Sequence, residues 1–162
     1  MPDPVHPFDL ARARQYHASL DAYASARLVT LENGAERGVR VIEMRSGGGL
    51  EAEIVVDRSF DIGRIALNGE TLSWHAPHGY RHPALIDPHS DNGQGFLRGM
   101  WGLLVTCGFD PIRQPETDGN ADNPARYPLH GMGSHQPAQL IGYGLSEHSP
   151  VPHLWCEAEV TQ

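Results

Sequence analysis

Arg27-Leu28-Val29-Thr30-Leu31, Asn33-Gly34, Val39-Arg40-Val41-Ile42-Glu43-Met44, Gly47-Gly48-Gly49 and Leu50-Glu51-Ala52-Glu53-Ile54-Val55-Val56 follow one another with little between them. Short blocks rich in β-branched and apolar residues alternate here with turn formers. Residues at every second position share one side of a strand, so such blocks read as strands with a buried side. Asn-Gly and a glycine run let the chain reverse tightly. The pattern continues with Ile62 to Leu67, an Asn68-Gly69 turn and Thr71 to Trp74. Strands recurring at short intervals between turn signals predict an all-β fold, an antiparallel sandwich or barrel.

Upstream, residues 8 to 24 place Leu10, Tyr16, Leu20 and Tyr23 at loosely helical spacing, which predicts a short N-terminal helix. Downstream, periodicity vanishes between Ala76 and Gly95 under Pro, His, Gly and Asp, and a loop of that length is commonly functional. Leu103-Leu104-Val105-Thr106-Cys107 reads as a buried strand. A second polar loop, 110 to 128, then leads to Leu129-His130-Gly131, and Gln139 to Tyr143 and Leu154 to Val160 read as further strands. In the last of these, Leu154, Cys156, Ala158 and Val160 form an apolar side. With no successor strand, that side and an edge are expected to stay open, as in the N-terminal half of a larger sandwich. No repeat or linker divides the chain, so residues 1–162 are expected to form a single domain.

Composition narrows the function. The net charge of -8 argues against nucleic acid and anionic membrane, where basic patches carry affinity. No apolar run approaches the ~20 residues of a membrane helix. The opening Met1-Pro2-Asp3-Pro4-Val5-His6 lacks the basic and apolar regions of a secretory signal, so a cytoplasmic location is expected. All 12 basic side chains are arginine, which removes lysine Schiff-base chemistry and a phosphate-loop lysine. Cys107 and Cys156 lie in strand-like apolar contexts and are expected to be reduced thiols.

Few residues remain that could do chemistry. His130, between a leucine and two nearby glycines, can project from a bending backbone, and imidazole suits proton transfer near neutrality. The alternative is a structural histidine hydrogen-bonded in the sheet. Arg98, before Gly99 and the Trp101 to Cys107 run, is either a donor fork for vicinal hydroxyls or one half of an ion pair. Trp101 and Trp74 offer flat faces for a pyranose ring, or are core. Asp57-Arg58 and Asp61 form a charge cluster at a strand end, mainly architectural, with Arg58 a further ligand candidate. His75, His78, His82 and His89 follow no metal-binding spacing, and Pro77 and Pro83 interrupt them, so no metal is expected.

The run Gly95-Phe96-Leu97-Arg98-Gly99-Met100-Trp101-Gly102-Leu103-Leu104-Val105-Thr106-Cys107-Gly108 resembles the aldose-1-epimerase-like proteins of the galactose mutarotase superfamily, as does the later Leu129-His130-Gly131 with His135-Gln136-Pro137-Ala138. The similarity extends from about Arg37 to Ala138. It implies a large antiparallel β-sandwich, a monosaccharide or sugar derivative as ligand, and no cofactor. It also implies acid-base interconversion of anomers, in which a carboxylate takes the anomeric hydroxyl proton while a histidine protonates the ring oxygen. Arg98 and His130 match the family's substrate-contacting arginine and first histidine. The family's second histidine and base glutamate have no matching motif here, although Glu147, His148, Glu157 and Glu159 are present. Two readings stand: an epimerase completed by a C-terminal half or a second copy, and a non-catalytic carbohydrate-binding module that lacks the base.

Overall fold

The computed structural model describes residues 9–107, 110, 112–117 and 126–161. The expected loop at 110 to 128 therefore falls partly outside the described residues. At the N-terminus, helix α1 (Leu10–Tyr16) is capped by the Asp9 carboxylate, which accepts from the Arg12 N–H at 3.0 Å. The expected helix thus stops short, and Leu20–Ala22 forms only a 3-10 turn, with the Leu20 side chain buried.

Strands β1 (Ser25–Thr30), β2 (Arg40–Arg45), β3 (Leu50–Val55), β4 (Asp61–Leu67) and β5 (Glu70–Thr71) form one antiparallel sheet in sequence order. Each of the first four lies close to where the apolar blocks and turn signals placed it. Asn68 and Gly69 turn β4 into β5 with φ of 52° and 85°, the paired positive values of a tight hairpin. Beyond Thr71 the expected strand fails. Trp74 makes only an isolated bridge to Gly102, and its ring is exposed.

Alternation sends the side chains of β2 and β3 to two different cores. On one side of the sheet, Val39, Val41 and Val55 pack with Ala76, Tyr80 and Trp101, so the 72–107 segment covers this side. On the other, Ile42, Ile54 and Val56 meet Ala138, Leu140, Cys156, Ala158 and Val160. These come from the hairpin of β8 (Gln139–Ser146) and β9 (His153–Glu159) and from the residues that flank it, Ala138 and Val160, and the hairpin forms a second layer. Two stacked antiparallel layers make a β-sandwich. A two-residue ladder, β6 (Glu116–Thr117) with β7 (Arg126–Tyr127), stands apart. At one end the layers part into an apolar groove of about 530 Å³ lined by Leu20, Tyr23, Met44, Leu145 and Leu154.

Two expectations are corrected. Leu103 to Cys107 is not a strand, and Leu103 and Leu104 are exposed. Their N–H groups bond instead to the carbonyls of Ile62 and Gly63 at the start of β4, so the run is held by its backbone and not by its side chains. The final strand is not left open on its apolar side, because β8 pairs with it and that side packs onto β2 and β3.

Candidate functional site

The site is organised by the turn between β3 and β4. Ser59 and Phe60 have φ of 49° and 61°, an unusual pair for side-chain-bearing residues. Tight reversal brings Asp57, Arg58, Ser59 and Asp61 together, and all four are buried. Asp57 accepts from the Arg40 N–H and from Arg40 Nε and Nη2, tying the turn to β2. Arg58 donates to Asp61 at 2.7 Å, to the Gly99 carbonyl at 3.0 Å and to the Trp101 carbonyl at 2.5 Å. Asp61 also accepts from the Thr106 N–H at 2.5 Å. Burial pushes the Asp61 carboxyl above its ordinary range, while the Arg58 charge and the Thr106 N–H pull it back. Ser59 donates to the Gly133 carbonyl, and its N–H bonds Gln136 O at 2.7 Å. One turn thereby fixes the 99–106 and 133–138 segments.

These segments carry the expected site residues. Arg98 ends the 3-10 turn Gly95–Arg98. Its side chain is half exposed and forms a two-pronged pair with Asp91, at 2.6 and 3.0 Å. That hydrogen bonding holds the Asp91 carboxyl below its usual range. Asp91 and Asn92 again have positive φ, 52° and 59°. Gly93 follows, and its carbonyl accepts from the Leu129 N–H at 2.7 Å, which docks the Leu-His-Gly segment against this turn. His130 has φ of 58°, and its ring stands edge-on to Phe96 with centroids 5.1 Å apart. Its Nδ1 is buried without a hydrogen-bond partner among the described residues. Strained non-glycine backbone is sustained only where the surroundings over-determine it, and such positions cluster at functional sites. Apart from Asn68, every described non-glycine residue with positive φ lies on the 57–61 turn, the 91–93 turn or at His130.

Arg98 and His130 are thus set on two docked segments, and Phe96, two residues before Arg98, packs against the His130 ring. The other expected residues sit elsewhere. The Trp101 ring is in the core, 3.9 Å from Tyr80 and 4.5 Å from His75 between centroids, so its flat face is spent on packing. Trp74 is exposed beside Gly102. The Arg58 guanidinium is committed to carbonyls and Asp61, an architectural role. His75, His78 and His82 are engaged locally with Ser73 Oγ, the Gly79 carbonyl and the Ala84 N–H, respectively. Cys107 and Cys156 are free thiols, and burial raises both.

Sequence reasoning passed over Ser134, His135, Phe96 and Asp91. Ser134 and His135 line a cavity of about 10 Å³ with Arg58, Phe96, Gly99 and Val105. Burial, and then the Arg58 charge, lower the His135 pKa. The only available signal was its place in the stretch after Leu-His-Gly.

A family model described as a domain of unknown function, DUF4432, matches residues 36–162. The chain belongs to the DUF4432 family. The match takes in β2 to β5, both turns of the site and the second layer. Comparison of this DUF4432 chain with curated proteins finds no match. Among solved structures, it is similar to a Klebsiella pneumoniae protein provisionally named an aldose 1-epimerase, with 26% identity and a TM-score of 0.71. The alignment covers 82% of this chain and 34% of that one, so the DUF4432 chain spans about a third of that structure's length. Its antiparallel layers are those of an aldose-1-epimerase-like, galactose mutarotase-like β-sandwich. Among the described residues, no helix is long and apolar enough to cross a membrane.

Proposed function

We propose that this DUF4432 chain binds a monosaccharide or sugar derivative beside Arg98 and His130, within an aldose 1-epimerase-like protein. One observation carries the reading: the Leu129 N–H bonds the Gly93 carbonyl, which docks the segment of the strained His130 against the turn whose Asp91 pairs with Arg98. With Nδ1 directed inward, Nε2 is the ring nitrogen left for a ligand. In anomer interconversion His130 gives a proton to the ring oxygen as its bond to the anomeric carbon breaks. A carboxylate takes the anomeric hydroxyl proton, and the carbonyl forms. Rotation and the reverse transfers close the ring on the other face, with no net change in atoms. Arg98, oriented by Asp91, directs its remaining donors at sugar hydroxyls.

The position of the glutamates supports a second reading, the non-catalytic binding module. Glu157 and Glu159 alternate outward on β9, on the exposed side of the hairpin, whereas His130 packs on Phe96. Asp91, held ionised by Arg98, is a weak base.

NMR titration with D-galactose and D-glucose, beside polarimetry of freshly dissolved α-D-glucose, tests both. Arg98→Ala and His130→Ala should each weaken binding about tenfold, the loss of roughly one charge-assisted hydrogen bond. Where mutarotation is measurable, His130→Ala should slow it about 10²–10⁴-fold. Binding without mutarotation would select the module. Binding unaffected by either substitution would rule out this site.

A further inference from the structure

The side of the sheet that carries Val29, Val41 and Val55 runs on into a charged band. Alternation continues from those valines to Ser25 and Arg27 on β1, Glu43 and Arg45 on β2, and Glu51 and Glu53 on β3. Over β3 and β4 the band is closed by internal bonds. Arg64 donates to Glu51 at 3.0 Å and lies 3.8 Å from Glu53, which also accepts from the Tyr80 hydroxyl at 2.8 Å. Over β1 and β2 the band is open. Arg27 and Glu43 face each other in register, where opposite charges ordinarily attract. Yet the side chains of Arg27, Glu43, Arg45 and Asp21 make no hydrogen bond or ion pair among the described residues. These four line a groove of about 420 Å³ with Ser25 and Ala26. Small-molecule sites span roughly 300–1,000 Å³. The groove is also preformed. Its strands are fixed by the β1–β2 ladder, and Asp21 stands on the 3-10 turn anchored by buried Leu20, where Ser19 Oγ accepts from the Asp21 N–H at 3.2 Å.

We propose that this groove is a binding site for a neutral, polyhydroxylated ligand of the sugar class, separate from the site beside Arg98 and His130. Two guanidiniums that only donate and two carboxylates that only accept surround one space, and the Ser25 hydroxyl can do both. A sugar hydroxyl accepts from an arginine and donates to a carboxylate at the same time, so neighbouring hydroxyls complete all four groups. The formal charges of the lining cancel, which leaves a phosphate or a cation no net attraction. A small zwitterion would engage one group of each sign and leave the other two idle. No residue of the 91–99 or 129–135 segments lines the groove, so it does not depend on the histidine site.

Residue-resolved NMR titration of the folded protein with D-glucose, D-galactose, inorganic phosphate and glycine is the test. A sugar should shift the amide signals of residues 25–27 and 43–45 and the Nε–H signals of Arg27 and Arg45, whereas phosphate and glycine leave them in place. Arg27→Gln and Glu43→Gln should each weaken that binding about tenfold, the loss of roughly one charge-assisted hydrogen bond. Both side chains are exposed, so neither substitution disturbs the core, and an unchanged circular dichroism spectrum verifies it. The shifts at the groove should persist in Arg98→Ala. Sugar shifts confined to the surroundings of Arg98 and His130 would overturn this proposal and spare the other site. Groove shifts that vanish in Arg98→Ala, that survive Arg27→Gln and Glu43→Gln unchanged, or that phosphate or glycine produces as strongly would also overturn it.

Discussion

Arg58 and His135 show how far single residues depend on their surroundings. Arg58 sits at 6% side-chain exposure against an Asp61 side chain at 0%, so removing one charge strands the other. Arg58→Ala should therefore cost about 3–5 kcal/mol, and Arg58→Met with Asp61→Asn much less, in urea melts followed by circular dichroism. His135 gives a pH dependence whose sign can be worked out. Its folded pKa is depressed, so between that value and the ordinary one near 6.5 the unfolded chain binds the extra proton. Stability should be intact above about pH 6.5 and fall as pH drops below it. His135→Phe should flatten that limb of the stability profile; an unchanged slope would assign it to other groups. At this scale the charge cluster Asp57-Arg58-Asp61 was legible, as was the ion-pair alternative for Arg98. The burial of Ser134 and His135 was not, because direction in a loop is set by backbone angles such as that of His130, which no alternation reports.

The elements divide by how their side chains are held. β1 to β4 were legible because β-branched and apolar blocks sit between turn formers, and β8 and β9 because burial alternates along each. Leu103 to Cys107 looked like a strand because it is apolar, yet its first N–H groups serve β4 and its leucines face outward. In the second layer, Gly142 and Gly144 on β8 lie under the Trp155 ring of β9, and a Cβ at Gly142 would come within 2.8 Å of it. The ring lies flat along β8 only because these positions carry no side chain. Gly142→Val should destabilise by about 1–3 kcal/mol through overpacking. The double variant with Trp155→Ala should recover much of that loss, a coupling measured by a double-mutant cycle.

For the whole molecule, the five-stranded sheet serves a different core on each side, and the groove at one end of the layers is loosely filled. The apolar blocks marked the strands; they could not show which later segment covers each side, since partner choice depends on packing across the chain. Filling the groove near Met44 and Leu154 by Ala52→Leu should stabilise by about 0.5–2 kcal/mol, seen as a raised Tm. The 57–61 turn has a different consequence, in time. Its partners near residues 99–106 and 133–138 are far along the chain, so their contacts close large loops and belong late in folding. Weakening Ser59 or Arg58 should steepen escape from the native state while leaving the refolding arm of a chevron nearly unmoved. The residues that anchor the histidine segment would then act chiefly as a brake on unfolding, setting how long each molecule, once folded, stays so.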